Sequence, residues 1–407
     1  YYVLRGDQLM STRYKGSLLS STAASSSSTA ATGLWKQSEV AQLVTTAWPW
    51  PISDPSWSSV SLLLHGDGVN STQNNTFVDS STNNFTLTRG GAATQGTVNP
   101  FGSVAPYTTS VDGGSGYFDG TADYLAIPAN TAFSYSTGDF TWELWVYPFA
   151  YGASGSVPLD FWSNVVGSYI VGQCQIFITS TGLVQFFYAT TVSAGVNISS
   201  ASSLTLNAWT HIAVVRSGSA TGNLKLYING SVAATSAGAV TQNLGSTGAG
   251  SVARQSSGTS YFFNGHVSNA RIVKGTAVYT GAFTPPTAPL TAISGTSLLL
   301  SFTNAGVIDN AMQNDLTTVG TASITTLAYK YSTGAMAFSG SGAWLTTIDK
   351  TSLQLGTGDF TIEGWVGINT AGTAYAIVSK GAAATGWSVN ITSGNLLQFS
   401  YLSLIHI

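Results

Sequence analysis

Asp119 and Asp123 stand four residues apart in Phe118-Asp-Gly-Thr-Ala-Asp-Tyr-Leu125, hard oxygen ligands on a glycine-containing loop and so a candidate Ca²⁺ site. Turn chemistry competes with that reading, because each Asp side chain can also cap nearby backbone amides. Tyr147, Phe149, Tyr151 and Trp162 make an aromatic-rich stretch on which a ligand ring could stack, although such rings more often pack a β core. Acid–base cleavage of a glycosidic bond needs two carboxylates about 5–9 Å apart. The glutamates are Glu39, Glu143 and Glu363, and neither Glu143 nor Glu363 has an acidic residue two positions away. Glu143 is therefore expected to be hydrogen-bonded to neighbouring strands or loops. His65, His211 and His266 lack the i, i+2 or i, i+4 spacing of a zinc site, and His406 stands almost at the end. No Gly-x-Ser-x-Gly elbow is present. The chain reads as non-enzymatic.

The elements that must position these residues occur twice. Phe118–Leu125 and Thr137-Gly-Asp-Phe-Thr-Trp-Glu-Leu-Trp-Val146 return as Phe338-Ser-Gly-Ser-Gly-Ala-Trp-Leu345 and Thr357-Gly-Asp-Phe-Thr-Ile-Glu-Gly-Trp-Val366, both at an offset of 220 residues. An offset far beyond the 20–50 residues of a solenoid means tandem globular modules. The second copy replaces Asp119 and Asp123 by Ser339 and Ala343, which favours turn chemistry at those positions. Leu224-Lys-Leu-Tyr-Ile-Asn-Gly-Ser-Val232 alternates faces and carries Asn229-Gly230, the signature of a type I′ hairpin. Trp209-Thr-His-Ile-Ala-Val-Val-Arg216 is apolar on both faces, as expected when two sheets pack together. In Phe263–Ile272, Gly265 marks a bulge or a close backbone approach. The prolines of Phe283–Pro289 break pairing, and Ser297-Leu-Leu-Leu-Ser301 restarts the pattern opened by Ser61-Leu-Leu-Leu. Trp142, Trp145, Trp209 and Trp365, all within these motifs, are expected in cores.

Composition agrees with an all-β chain: 43% hydrophobic, 7% charged, with 45 Gly, 18 Tyr, 18 Phe and 11 Trp in 407 residues. A net charge of −3 offers no basic field for nucleic acid. Apolar runs are too short for a membrane-spanning helix. Cys174 is the single cysteine, so no intrachain disulfide forms, and it reads as a small apolar strand residue. Residues 1–58 read as a Ser/Thr/Ala-rich disordered linker with one short helix near 33–43, ended by Trp48-Pro-Trp-Pro51. Met10 is a plausible start, and Leu402-Ser-Leu-Ile-His-Ile407 resembles a translated sequencing-adapter end, so the protein is expected to continue beyond Tyr401. Arg5-Gly6-Asp7 and six Asn-x-Ser/Thr triplets are chance matches in such a composition.

The ordered motifs Phe-Asp-Gly…Asp-Tyr-Leu, Thr-Gly-Asp-Phe-Thr-x-Glu-x-Trp-Val, Trp-Thr-His-Ile-Ala-Val-Val-Arg, Leu-Lys-Leu-Tyr-Ile-Asn-Gly and Phe-x-Gly-x-Val-x-x-Ala-Arg-Ile resemble the LamG-like jelly-roll domain of the concanavalin A-like lectin/glucanase superfamily. The resemblance implies tandem antiparallel jelly-roll β-sandwiches: a complete one over 59–292, and the N-terminal half of another over 293–401, with 402–407 outside. The truncated second sandwich should expose inner faces and tend to aggregate. Family relatives hold Ca²⁺ at a sandwich rim, yet the acidic pair they often show before Arg-Ile is Ser268-Asn269 here. Glucanase relatives place alternating acidic residues on one strand, a pattern this chain lacks. The resemblance thus implies a module binding glycans or another cell-surface ligand, with a structural spacer or virion decoration as the alternative and a glycan-cleaving enzyme a distant third. The Ser/Thr linker, the Gly33-Leu-Trp35 to Trp48-Pro segment and Leu62-Leu-Leu-His-Gly-Asp-Gly68 also resemble structural proteins of marine tailed phages, which implies virion partners and a virion or extracellular location.

Overall fold

Trp142 illustrates how the sandwich closes. Its indole Nε1 donates to the Tyr135 hydroxyl at 2.9 Å, and its ring meets Phe161 and Phe186 of the opposite sheet edge-on, with centroids 5.6 and 5.7 Å away. The computed structural model describes residues 2–4, 9–11, 61–62, 64–65, 68, 72–101, 107–161, 169–245, 247–258, 260–306, 308–309, 314–327, 334–355, 358–382 and 385–402. The helix expected near 33–43 and Trp162 lie outside these residues. Two compact units are present, Tyr1–Leu353 and Gln354–Ile407.

The first unit holds an antiparallel jelly-roll sandwich. Its strands are β1 (Thr88–Gly90), β2 (Thr94–Gly96), β3 (Ser115–Asp119), β4 (Tyr124–Ile127), β5 (Phe140–Ala150), β6 (Ser156–Phe161), β7 (Cys174–Ile178), β8 (Leu183–Ala189), β9 (Gly195–Ser203), β10 (Thr210–Arg216), β11 (Leu224–Ile228), β12 (Ser231–Thr235), β13 (Gly250–Val252), β14 (Asn264–Lys274) and β15 (Thr296–Leu300). One sheet runs β12-β11-β10-β5-β14-β3-β2, with β15 also on β14; the other runs β9-β8-β7-β6-β13-β4-β1. A helical turn at Thr109–Asp112, α1, precedes β3 and has no counterpart in the sequence reading.

Alternation places Trp142, Leu144 and Val146 of β5 in the core with Ile212, Val214, Leu224 and Leu226, against Ile176 and Phe186 of the facing sheet. Burying each such side chain is worth roughly 1.5–3 kcal/mol. Every residue of β10 is buried, as its two-faced pattern requires. Asn229 and Gly230 adopt φ 48° and 78° between Ile228 and Ser231, the left-handed pair of a type I′ turn. At Gly265 φ is 146°, the register against β5 shifts, and a Cβ would fall 2.1 Å from the Tyr147 carbonyl oxygen. Bulge and close approach coincide there. Cys174 is buried on β7, where desolvation pushes its thiol up to about 12.

The edge of β14 away from β5 is divided. Asn264–Val267 pairs with β3, and Ala270–Val273 pairs with β15, the strand that in sequence opens the second copy of the repeat. Asp79 fastens this joint: Oδ1 accepts from the Leu299 amide at 2.9 Å, and Oδ2 from the Phe85 amide at 3.1 Å.

The second unit contains a three-stranded antiparallel sheet of Tyr375–Ala382, Thr385–Ile391 and Leu397–Leu402. Here the repeated motif behaves differently. Residues 358–366 form no strand, and Phe360 and Trp365 are 50% and 68% exposed, so Trp365 is not the core residue its position in the motif suggested. In the first copy the equivalent strand is clamped between β10 and β14; among the described residues no strand pairs with 358–366.

Candidate aromatic binding face

The outward-facing residues of β5 include Glu143, Trp145, Tyr147 and Phe149, and the neighbouring strands decide what each one meets. His266 of β14 is in register with Tyr147 on one side and Tyr117 of β3 on the other. Trp209, just before β10, closes the group. Ring centroids lie 5.5 Å (Tyr117), 5.4 Å (Phe149), 6.0 Å (Tyr147) and 6.1 Å (Trp209) from the imidazole, and Tyr147 meets both Phe149 and Trp209 at 5.5 Å. The imidazole is buried, while the four rings around it are half-buried. Its Nδ1 lies 3.2 Å from Ser115 Oγ, and its Nε2 lies 3.6 Å from Asp315 Oδ2, which is also 3.6 Å from Lys350 Nζ. Burial lowers the His266 pKa, against the pull of Asp315. Desolvation and the charges of Asp315, Asp119 and Asp123 raise that of Tyr117. The result is a ring-lined face with a carboxylate and an ammonium beside it.

Further along the same sheet face, Glu143 is fully buried. Its Oε1 accepts from Arg271 Nε and Nη2 at 2.9 and 2.5 Å, its Oε2 accepts from the Tyr279 hydroxyl at 2.7 Å, and His211 Nε2 lies 3.3 Å from Oε2. Desolvation opposes ionisation, but His211, Arg271 and Tyr279 together hold the carboxyl below its ordinary value. Tyr279 stacks on Phe283 at 3.6 Å, and both rings cover this part of the sheet. A carboxylate so committed has no free oxygen facing solvent, as a catalytic acid or base requires.

Of the aromatic residues singled out from the sequence, Tyr147 and Phe149 share the patch. Tyr151 does not: it packs against the core, and its hydroxyl donates to the Leu204 carbonyl. Trp162 falls outside the described residues. Trp209, expected in the core, is half-buried on the outer face instead. Tyr117, Trp209 and His266 went unselected because they lie on three different strands or strand ends. The available signal was period two in β5, which separates Tyr147 and Phe149 from Trp142 and Leu144.

Asp119 and Asp123 are brought together, but around amides. Asp119 Oδ1 accepts from the Thr121 amide at 2.8 Å and Oδ2 from Thr121 Oγ1 at 2.7 Å. Asp123 accepts from the Ala92 amide at 2.5 Å and the Asp119 amide at 3.1 Å. Calcium takes six to eight oxygen ligands, whereas these carboxylates meet donors. Among the described residues no three His, Cys, Asp or Glu side chains gather to hold a metal. This arrangement is the turn chemistry weighed from the sequence and does not fit a metal centre as it stands.

The model of the concanavalin A-like lectin/glucanases superfamily (Laminin_G_3) matches residues 119–278, from the end of β3 to just past β14. No curated protein matches the chain. Among solved structures, domain 4 of the extracellular GH43 arabinanase AbnA of Geobacillus stearothermophilus, in complex with arabinotriose, is 15% identical over 47% of this chain and 85% of its own, with a TM-score of 0.34. A candidate carbohydrate-binding protein from Bacteroides ovatus is 16% identical over 58% and 60%, TM-score 0.36. The binding domain of botulinum neurotoxin serotype G is 13% identical over 49% and 45%, TM-score 0.35.

Proposed function

We propose that the sandwich of the first unit is a non-catalytic module that binds a glycan on the outer face of its larger sheet, through Tyr147, Phe149, Tyr117 and Trp209. The observation that carries this reading is the ring of four half-buried aromatic side chains around buried His266. Sugar rings present C–H faces that stack on aromatic planes and hydroxyls that seek polar groups, and the part-exposed Lys350, beside buried Asp315, supplies one. The superfamily match over 119–278 supports the same class of role. The commitment of Glu143 to Arg271 and Tyr279 argues against a glycan-cleaving site. The tandem copies and the resemblance to tailed-phage structural proteins support a place on a virion or outside the cell, among other virion proteins.

A glycan array probed with the full chain, in calcium and again with chelator, tests this. Binding is expected in both conditions, because Asp119 and Asp123 already serve the turn. Trp209→Ala should weaken binding about tenfold, the equivalent of 1.4 kcal/mol. Chelator-sensitive binding would instead implicate the Asp119/Asp123 loop, and no binding at all would leave the module a structural spacer or virion decoration.

A further inference from the structure

Ser61-Leu-Leu-Leu64 and Ser297-Leu-Leu-Leu300 are the same tetrapeptide, each opening one copy of the repeat. The second of them, as β15, lies along β14 of the first copy, with Ala270 opposite Leu300, Arg271 opposite Leu299 and Ile272 opposite Leu298. All three leucines are buried, and Leu298 and Leu300 belong to the core. On the other side the strand is gripped by the first copy's Asp79 and Ser80: Asp79 Oδ1 accepts from the Leu299 amide, and the Ser80 amide donates to the Leu299 carbonyl at 2.8 Å. The converse also holds. Leu64–His65, from the first copy's opening segment, pairs with Ile308–Asp309 of the second. Each copy therefore holds the other's opening strand.

Two physical points extend this beyond a single chain. A seat made of backbone ladders and leucine pockets reads only strand direction and side-chain alternation, and the two Ser-Leu-Leu-Leu segments offer the same of both. The link into β15 can also let the strand depart: Pro285, Pro286 and Pro289 cannot all join a ladder, and residues 291–295 are exposed. A cleft of about 150 Å³ bordered by Val78, Ser80, Ser301 and Phe302 runs beside the joint. Exchange of identical elements between protomers has a low cost where such a hinge exists.

We infer that the groove between β14 and Asp79 is a strand-binding site whose ligand is the Ser-Leu-Leu-Leu strand of a repeat, and that a second copy of this chain supplies it, linking chains by strand exchange. The strand held in the first unit already comes from outside the repeat that grips it. A neighbouring chain offers the same ligand.

The test uses two full-length chains, both carrying Cys174→Ala. One carries Ala270→Cys and the other Leu300→Cys, positions directly opposite in the ladder and hence within disulfide reach. Unfolded, mixed, refolded and oxidised together, they should yield a covalent heterodimer that is lost when Leu300→Cys is replaced by the exposed-site variant Val232→Cys. Should the mixed chains stay monomeric while a chain carrying both Ala270→Cys and Leu300→Cys closes internally, exchange between chains is overturned. The unmodified chain guards against misfolded variants. Light scattering should find a dimer whose fraction falls with excess synthetic peptide of residues 294–303, and a chain monomeric at every concentration would overturn the inference equally.

Discussion

His266 shows what burial does to a titratable residue at the centre of an aromatic group. Desolvation holds its pKa below the ordinary 6.5, with Lys350 acting in the same direction and Asp315 against it. Above 6.5 the imidazole is neutral in both folded and unfolded chains, and its packing contributes fully. As pH falls below 6.5 the unfolded chain takes up a proton that the folded chain refuses, so this stability is lost down to the folded pKa. Denaturant midpoints measured through this window should fall with pH in the native chain and fall less steeply in His266→Gln. Equal slopes would mean that His266 is solvated. Glu143 shows the opposite outcome for a buried charge, its carboxyl held below the ordinary value because His211, Arg271 and Tyr279 compensate what desolvation costs.

At the scale of elements, local chemistry is decisive where a backbone conformation admits few residues. The Asn229-Gly230 turn sets the pairing of Ile228 with Ser231 through a left-handed backbone that few residues admit. Gly265 depends on its surroundings as well as its φ, because β5 passes where a side chain would stand. Gly265→Ala is expected to lower the urea midpoint by an amount equivalent to about 2 kcal/mol or more, with the slope of the transition unchanged. A change within about 0.5 kcal/mol, ordinary for surface positions, would show that β5 and β14 separate easily here. His266, the residue after this bulge, stands in register with Tyr117 on one side and Tyr147 on the other.

Across the whole molecule, one sentence of sequence has two fates. Phe140–Val146 is a buried central strand, whereas residues 358–366 carry nearly the same residues on irregular, exposed backbone. Strand propensity is realised by partners, and β10 and β14 supply them only in the first unit. Leu396, Leu397 and Tyr401 of the second unit are likewise exposed, the surface expected to promote aggregation. Chymotrypsin should cut after Phe360 and Trp365 well before it cuts within the sandwich, since few contacts protect that backbone. Simultaneous loss of both regions, followed by mass spectrometry, would show that the two units share one cooperative unfolding.

The sequence alone determined the all-β class, the repeat, the Asn-Gly hairpin, the two-faced strand at 210–216 and a Glu143 hydrogen-bonded to neighbouring strands or loops. These follow from residue types at short spacing, where sterics and period two act directly. Tertiary structure alone decided that Tyr117, Trp209 and His266 join Tyr147 and Phe149 while Tyr151 turns to the core, because strand register sets which rings meet across three strands. It also decided that Asp119 and Asp123 serve amides, and which Ser-Leu-Leu-Leu strand lies on β14. Two identical segments have identical propensities, and only the edge that receives them tells them apart.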